Sequence, residues 1–220
     1  MSKWNLSQHV IIALLSVLLT GHALGQRQAP GARLRAAAGG ATAADRDAVR
    51  LRKLVWQGTA AKIKTPEYRT TASKGVTTPG QWWQFTVEYD TKPEWTDALT
   101  FQFYVLAYGV IDGKKAYAFY NKRVVFAEIK EGRRHRATVF LRPNTVERYG
   151  APVAFAVEVY YKGQMIVQET EVATKLSKTW WKDAAVIDSA LVTKREGYLL
   201  NRAESAFAYV DVDAYETIKP

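Results

Sequence analysis

ALTFQFYVLAYGVIDGKKAYAFYNKRVVFAEIK, residues 98–130, reads as a β-hairpin and decides the fold. Leu99, Phe101, Phe103, Val105 and Ala107 alternate with Thr100, Gln102 and Tyr104, the period of a strand with one buried face. Asp112-Gly113 then breaks the run, and glycine's tolerance of positive φ suits it to a two-residue hairpin turn. Residues 115–130 return as the partner strand.

The same period continues on both sides. Trp83, Phe85, Val87 and Tyr89 alternate with Gln84, Thr86 and Glu88. Glu131-Gly132 reads as a further turn, leading into Ala137, Val139 and Leu141. Val153, Phe155, Val157, Val159 and Tyr161 alternate again, and Lys162-Gly163 turns that strand into Met165 to Val172. Strands are expected at 54–63, 81–90, 98–111, 115–130, 134–141, 152–162 and 164–173. No helical pattern between them is long enough for a parallel crossover. Seven antiparallel strands, each with one apolar face, bury those faces by stacking in two layers. The expected fold is therefore all-β, an immunoglobulin- or fibronectin-like antiparallel β-sandwich, with a closed barrel as the alternative. A C-terminal extension begins at about residue 176. Leu191 to Leu200 turns at Gly197, and Phe207 with Tyr209 to Asp213 alternates once more, so one or two added strands are expected there. Trp180, Trp181, Leu199, Leu200 and Phe207 require it to dock on the sandwich.

The beginning of the chain has a different character. Lys3 precedes an apolar run, Val10 to Thr20, and His22-Ala23-Leu24-Gly25 places small residues at −3 and −1 of a cleavage site before Gln26. This is the layout of a secretory signal peptide over residues 1–25, too short for a stable lone membrane span. Export to the periplasm, the outer membrane or the exterior is expected. Residues 26–47 are rich in Ala, Gly and Arg and bury too little to order themselves, so they read as a flexible tether. Within it Asp45 is expected to cap a short helical turn, ordered structure should start near Leu54, and the domain spans 48–220.

Composition limits the chemistry. There is no cysteine, which excludes disulfides, a thiolate zinc site, a Cys nucleophile and a lipidated N-terminal cysteine. His9 and His22 lie in the leader, leaving His135 alone in Arg133-Arg134-His135-Arg136, so a histidine-rich metal site is not available. No Ser sits in a G-x-S-x-G context, and no P-loop or G-x-G-x-x-G is present. No catalytic residue, cofactor or metal is assigned. A hydrolase on Asp211 or Glu158 is the one enzymatic alternative. Asp211-x-Asp213 would place two carboxylates on one strand face, too few for calcium.

Binding remains. Neighbours on a strand point to opposite faces, so Trp82-Trp83 and Trp180-Trp181 should each leave one ring outside the core. Trp83 shares the parity of Phe85, which makes Trp82 the outward one. Trp82, Trp180 and Trp181 are thus candidate platforms for a sugar ring. The chain carries 31 Lys and Arg against 21 Asp and Glu, net +10, and loss of Lys3 with the leader leaves 30 − 21 = +9. Lys114, Lys115, Lys122, Arg123, Lys130, Arg133, Arg134, Arg136 and Arg142 concentrate that charge. Lys122, Arg123, Arg133, Arg134 and Arg136 are its candidate binding residues. The cluster suits an anionic glycan, an anionic lipid surface or an acidic partner protein, while export removes nucleic acid from consideration.

Lys64-Thr65-Pro66-Glu67-Tyr68, Trp95-Thr96-Asp97, Tyr104-Val105-Leu106, Leu199-Leu200-Asn201-Arg202 and Phe207-Ala208 together carry a resemblance. Over residues 54–216 the chain resembles secreted immunoglobulin-like proteins of verrucomicrobial bacteria, including one encoded beside a type IV pilus-like surface system. These motifs are structural, and no active-site residue carries over. The resemblance implies a Gram-negative envelope or surface protein, non-catalytic, with a protein partner in pilus assembly, adhesion or host contact.

Overall fold

The computed structural model describes residues 41–66, 80–111, 113–173 and 175–219, all within the unit formed by residues 39–220. The leader, most of the tether, Glu67, Tyr68 and Asp112 lie outside the described residues.

The ordered chain begins earlier than the composition indicated. Helix α1, Ala43–Asp47, is capped by Thr42, whose hydroxyl accepts from Asp45 N at 3.1 Å while the Asp45 carboxylate accepts from Thr42 N at 3.2 Å. This reciprocal pair satisfies two otherwise orphaned donors. Asp45 is thus the third helical residue and not the cap, and residues 42–47 do not belong to the tether. Strand β1 runs Val49–Val55, ahead of the expected start at Leu54, and Gly58 at φ 69 separates it from β2, Lys62–Lys64.

Two strands then dominate. β3 is Gln81–Ile111 and β4 is Lys114–Leu141, so four of the expected strands are really two. They pair antiparallel from Ile111↔Lys114 to Trp83↔Leu141, with Gly113 at φ 75 in the turn. Glu131-Gly132 is therefore not a hairpin turn. It lies where the register slips: Trp95 faces Lys130, Thr91 faces Gly132 and Tyr89 faces His135. β3 holds the extra residues on one side of Thr91, β4 holds one on the other, and Arg134 adopts φ 62. Such bulges bend strands and raise their twist. Here they fold the hairpin over itself, bringing Tyr89 to 5.0 Å from Phe101 and Phe85 to 5.3 Å from Phe155 between ring centroids.

Helix α2, Pro143–Tyr149, links β4 to β5, Ala151–Tyr161, and β6 is Gln164–Val172. Lys162 at φ 50 and Gly163 at φ 78 form the expected two-residue turn between Tyr161 and Gln164. The result is an all-β sandwich made from one folded sheet. Its first layer holds β1, β2 and residues 81–91 and 132–141. Its second layer has the order β6-β5-β3-β4. Inward Phe85, Val87, Tyr89, Phe101, Phe103, Tyr120, Phe126, Val139, Phe155 and Val157 form the core between them.

The extension contributes helix α3, Ala184–Ile187, and three short strands: β7, Val192–Lys194; β8, Leu199–Asn201; and β9, Thr217–Ile218. All three strands pair with β4, β8 in the first layer and β7 and β9 in the second. β7 runs parallel to β4, so the sheet is mixed and not wholly antiparallel. The tail thereby occupies the free side of β4, an edge that would otherwise offer unpaired amides and carbonyls to other chains. Expected strand residues 209–213 instead form turns, with Asp211 at φ 47 ahead of a 3-10 turn at Val212–Ala214.

The docking is aromatic. Phe207 stacks on Phe140 at 4.8 Å and meets Trp82 edge-on at 5.5 Å. Phe207→Ala should cost about 3 kcal/mol, the usual scale for deleting a buried ring. Denaturant unfolding with a red shift of tryptophan emission in the native state is the expected result. An unchanged midpoint would mean that the tail is held elsewhere.

Candidate functional site

The structure withdraws the tryptophans from the surface. Trp82 does point away from the inter-layer core, as strand parity requires, but the tail covers it, and with Phe140 and Phe207 it forms a separate apolar cluster. Trp180 and Trp181 lie on a 3-10 turn, Trp180–Lys182, where neighbours need not point to opposite faces. Both rings pack on the outer face of the second layer against Leu106, Phe119, Ala154 and Ala156. Trp180 Nε1 donates to Thr170 Oγ1 at 3.0 Å and Trp181 Nε1 donates to Glu158 Oε1 at 3.1 Å. All three candidates are buried, which removes them as sugar platforms. Among the described residues the exposed tryptophan is Trp95, at 58%, a residue that the doubled-tryptophan pattern did not single out.

The basic residues separate as well. β4 is 28 residues long, and no single patch can hold charges spread along it. Lys122 shares the inward parity of Tyr120 and Val124, and its ammonium reaches Glu204 of the tail at 2.6 Å. Arg123 lies opposite Gln102 in the second layer. Arg133, Arg134 and Arg136 are the members brought together, near the bend.

Other chain segments complete a basic surface there. On the outer face of the first layer Arg50 stands opposite Asp90 in the strand register, Lys53 opposite Glu88, and Glu88 also opposite Arg136. Arg50, Arg52, Lys92 and Arg133 converge with Asp90 and Glu131 on a cleft of about 480 Å³, whose floor includes Thr91 and Gly132. The Arg52 guanidinium grips Asp90 through two nitrogens, Nε at 2.6 Å, and Asp90 Oδ1 also accepts from Arg134 N at 3.1 Å. Arg52's hydrogen bond holds the Asp90 carboxyl below its ordinary value. Lys92 touches Asp47 at 3.2 Å with both groups exposed, a tie worth little in water. The side chains of Arg50 and Arg133 make no hydrogen bond or ion pair among the described residues. Two further grooves, of about 400 and 370 Å³, share Arg142 and Asn144.

The remaining reactive groups are engaged. Glu216 Oε1 meets His135 Nδ1 at 2.5 Å, and His135 Nε2 lies 3.1 Å from Thr91 Oγ1. This resembles a nucleophile relay, but the Thr91 hydroxyl donates to Lys130 O at 3.0 Å. The hydroxyl proton is thereby turned away from the ring, and the arrangement fastens the end of the tail to the bend. Glu158 is buried and takes hydrogen bonds from Tyr104 at 3.1 Å, Tyr160 at 2.8 Å and Trp181, with Lys182 Nζ at 2.5 Å. Asp211 and Asp213 share no strand, so the paired face expected of them is absent. Among the described residues no three His, Cys, Asp or Glu side chains gather to hold a metal ion.

One protein-family model matches residues 41–220. No protein of curated function matches the chain. Among solved structures, a crystal structure of a protein from the verrucomicrobe Akkermansia muciniphila is similar, with a TM-score of 0.65 and 24% identity. The similarity covers 78% of this chain and 93% of that one. At this identity the likeness shows the shared fold.

Glu158 yields a pH prediction. Burial pushes its carboxyl up, but the hydrogen bonds from Lys182, Trp181, Tyr160 and Tyr104 outweigh burial and leave it below its ordinary 4.5. A depressed folded value means stability that is complete above the ordinary value and lost as pH falls through the lowered one. Glu158→Gln should lower stability at pH 7 by about 2 kcal/mol, the scale of charge-assisted bonds. The variant should also lose less on acidification than the parent. Denaturant unfolding at pH 7 and pH 3.5 measures both, and parallel losses in the two proteins would refute the assignment.

Proposed function

The chain belongs to the family whose model matches it from residue 41 to residue 220, and on that footing we propose a non-catalytic exported protein of the envelope or cell surface. It works by binding, as a scaffold component of a pilus-like or adhesive assembly. The observation that carries this reading is the outer face of the first layer. Arg50, Arg52, Lys53, Arg133 and Arg136 gather there around two carboxylates, Glu88 and Asp90. Arg134 stands exposed on the same bulge. A surface with an excess of positive charge steers an anionic partner and fixes its orientation.

The hydrogen bonding of Glu158, His135 and Thr91 supports a structural use of the groups that an enzyme would need free. The leader pattern supports export, and the resemblance of residues 54–216 supports a surface assembly. Among the described residues no helix is long and apolar enough to cross a membrane. A second reading, glycan binding, now rests on Trp95, whose exposed ring stands opposite Lys130 on the hairpin.

The basic face is testable with the mature protein on a heparin column. Retention should fall steeply with salt, since the Debye length shrinks from about 10 Å at 0.1 M to about 3 Å at 1 M. Arg134→Glu with Arg136→Glu should elute earlier than the parent at low salt. Equal elution would reduce these arginines to solvated edge charge and remove the anionic partner. N-terminal sequencing of the envelope fraction should read from Gln26, and an intact Met1 would overturn export by a cleaved leader.

A further inference from the structure

We infer that the cleft at the bend of the hairpin is a binding site for a phosphate monoester carried on a sugar or a lipid headgroup. This rests on the binding role proposed above and names the chemistry of its ligand. The cleft takes Arg50 and Arg52 from β1, Lys92 from β3 and Arg133 from β4. Four cations against Asp90 and Glu131 leave 4 − 2 = +2 in the lining. A phosphate monoester carries about −1.5 to −2 near neutral pH and matches that excess, whereas a carboxylate would leave it half compensated.

The geometry favours the same group. Guanidinium forks bind tetrahedral oxyanions through paired N–H donors, and three of the four cations are arginines. Arg52 is held in place before any ligand arrives, because Asp90 fixes Nε and Nη2 and is itself fixed by Arg134 N. Its Nη1 keeps its hydrogens for an anion. Arg50 and Arg133, whose side chains make no hydrogen bond or ion pair among the described residues, are the cations free to close on it. The volume of about 480 Å³ exceeds a phosphate and leaves room for its carrier. Gly132, in the lining, packs against the His135 ring: a Cβ there would lie 2.7 Å from His135 Nε2, so only glycine fits at this point of the bend.

Isothermal titration of the mature protein with glucose 1-phosphate and with glucuronate, at low salt and pH 7.5, tests the charge match. Phosphatidic acid and phosphatidylglycerol vesicles form the membrane arm. Glucose 1-phosphate should bind about tenfold or more tightly than glucuronate, and Arg50→Gln with Arg133→Gln should weaken it by at least about tenfold. Lys114→Gln with Lys115→Gln, at the far hairpin turn, should change nothing, and circular dichroism should show both variants folded. A preference for phosphatidic acid over phosphatidylglycerol that the arginine variant loses, without response to the soluble sugar, would assign the phosphate to a lipid headgroup. No preference for the monoester in either arm, or a preference that Arg50→Gln with Arg133→Gln leaves intact, overturns the inference. Heparin retention that still depends on Arg134 and Arg136 would leave the basic-face role standing in that case.

Discussion

Everything in this molecule follows from how one long hairpin is bent. β3 and β4 run 31 and 28 residues as a hydrogen-bonded pair, and one face of that ribbon is apolar along almost its whole length. A flat ribbon would leave that face in water. Folding it over brings the two halves of the same face together, so Tyr89 meets Phe101, only twelve positions further along the chain. The register slip around Thr91 makes this possible, because unequal residue counts on the two strands bend the ribbon without ending its ladder. The Asp90 carboxylate then locks the bend, accepting from Arg52 on β1 and from the backbone of Arg134 on β4.

A folded ribbon creates two problems that the rest of the chain solves. It leaves the far side of β4 unpaired in both layers, and it turns alternate side chains of each layer outward. The extension answers both with one continuous segment. Its three short strands pair along β4, while Trp180, Trp181 and Phe207 cover the outer aromatic patches between them. Aromatic residues on the outer faces are thus docking points for the chain's own tail. The opposite side is tied more lightly, by Trp56 Nε1 donating to Glu171 at 2.9 Å and by Lys162 reaching Asp45 at 3.1 Å.

The strands were legible because period two is a local property of sequence. Residues 98–130 and 152–172 show it directly, and the two-residue turn at Lys162-Gly163 forms where glycine marks it. The bend was not legible, since Glu131-Gly132 reads as a turn and only the pairing of distant residues reveals a slip of register. Trp82 shows the same limit: parity gave its direction, but burial depended on a tail more than a hundred residues later. Trp180-Trp181 lies outside the reach of strand parity for a different reason, because these residues form a 3-10 turn. Of the predicted basic cluster, Arg133, Arg134 and Arg136 sit together. Their partners Arg50, Arg52 and Lys92 come from strands about 40 to 80 residues away, paired through a register no linear pattern displays.

The position of the cleft has a physical cause. Along regular stretches each backbone group is paired and each side chain is assigned to core or solvent by parity. At the bend that order is interrupted, and polar side chains are needed to satisfy the amides released by the bulge, as Asp90 does for Arg134. A carboxylate placed there for structural reasons must be neutralised, and Arg52 does so. Arginines recruited around a buried acid cannot all be paired with it, and Arg50 and Arg133 are left over, facing a concavity that the fold itself opens. The surplus positive charge is therefore a by-product of stabilising the bend, and a surface made for structural reasons becomes a site as soon as an anion fits it.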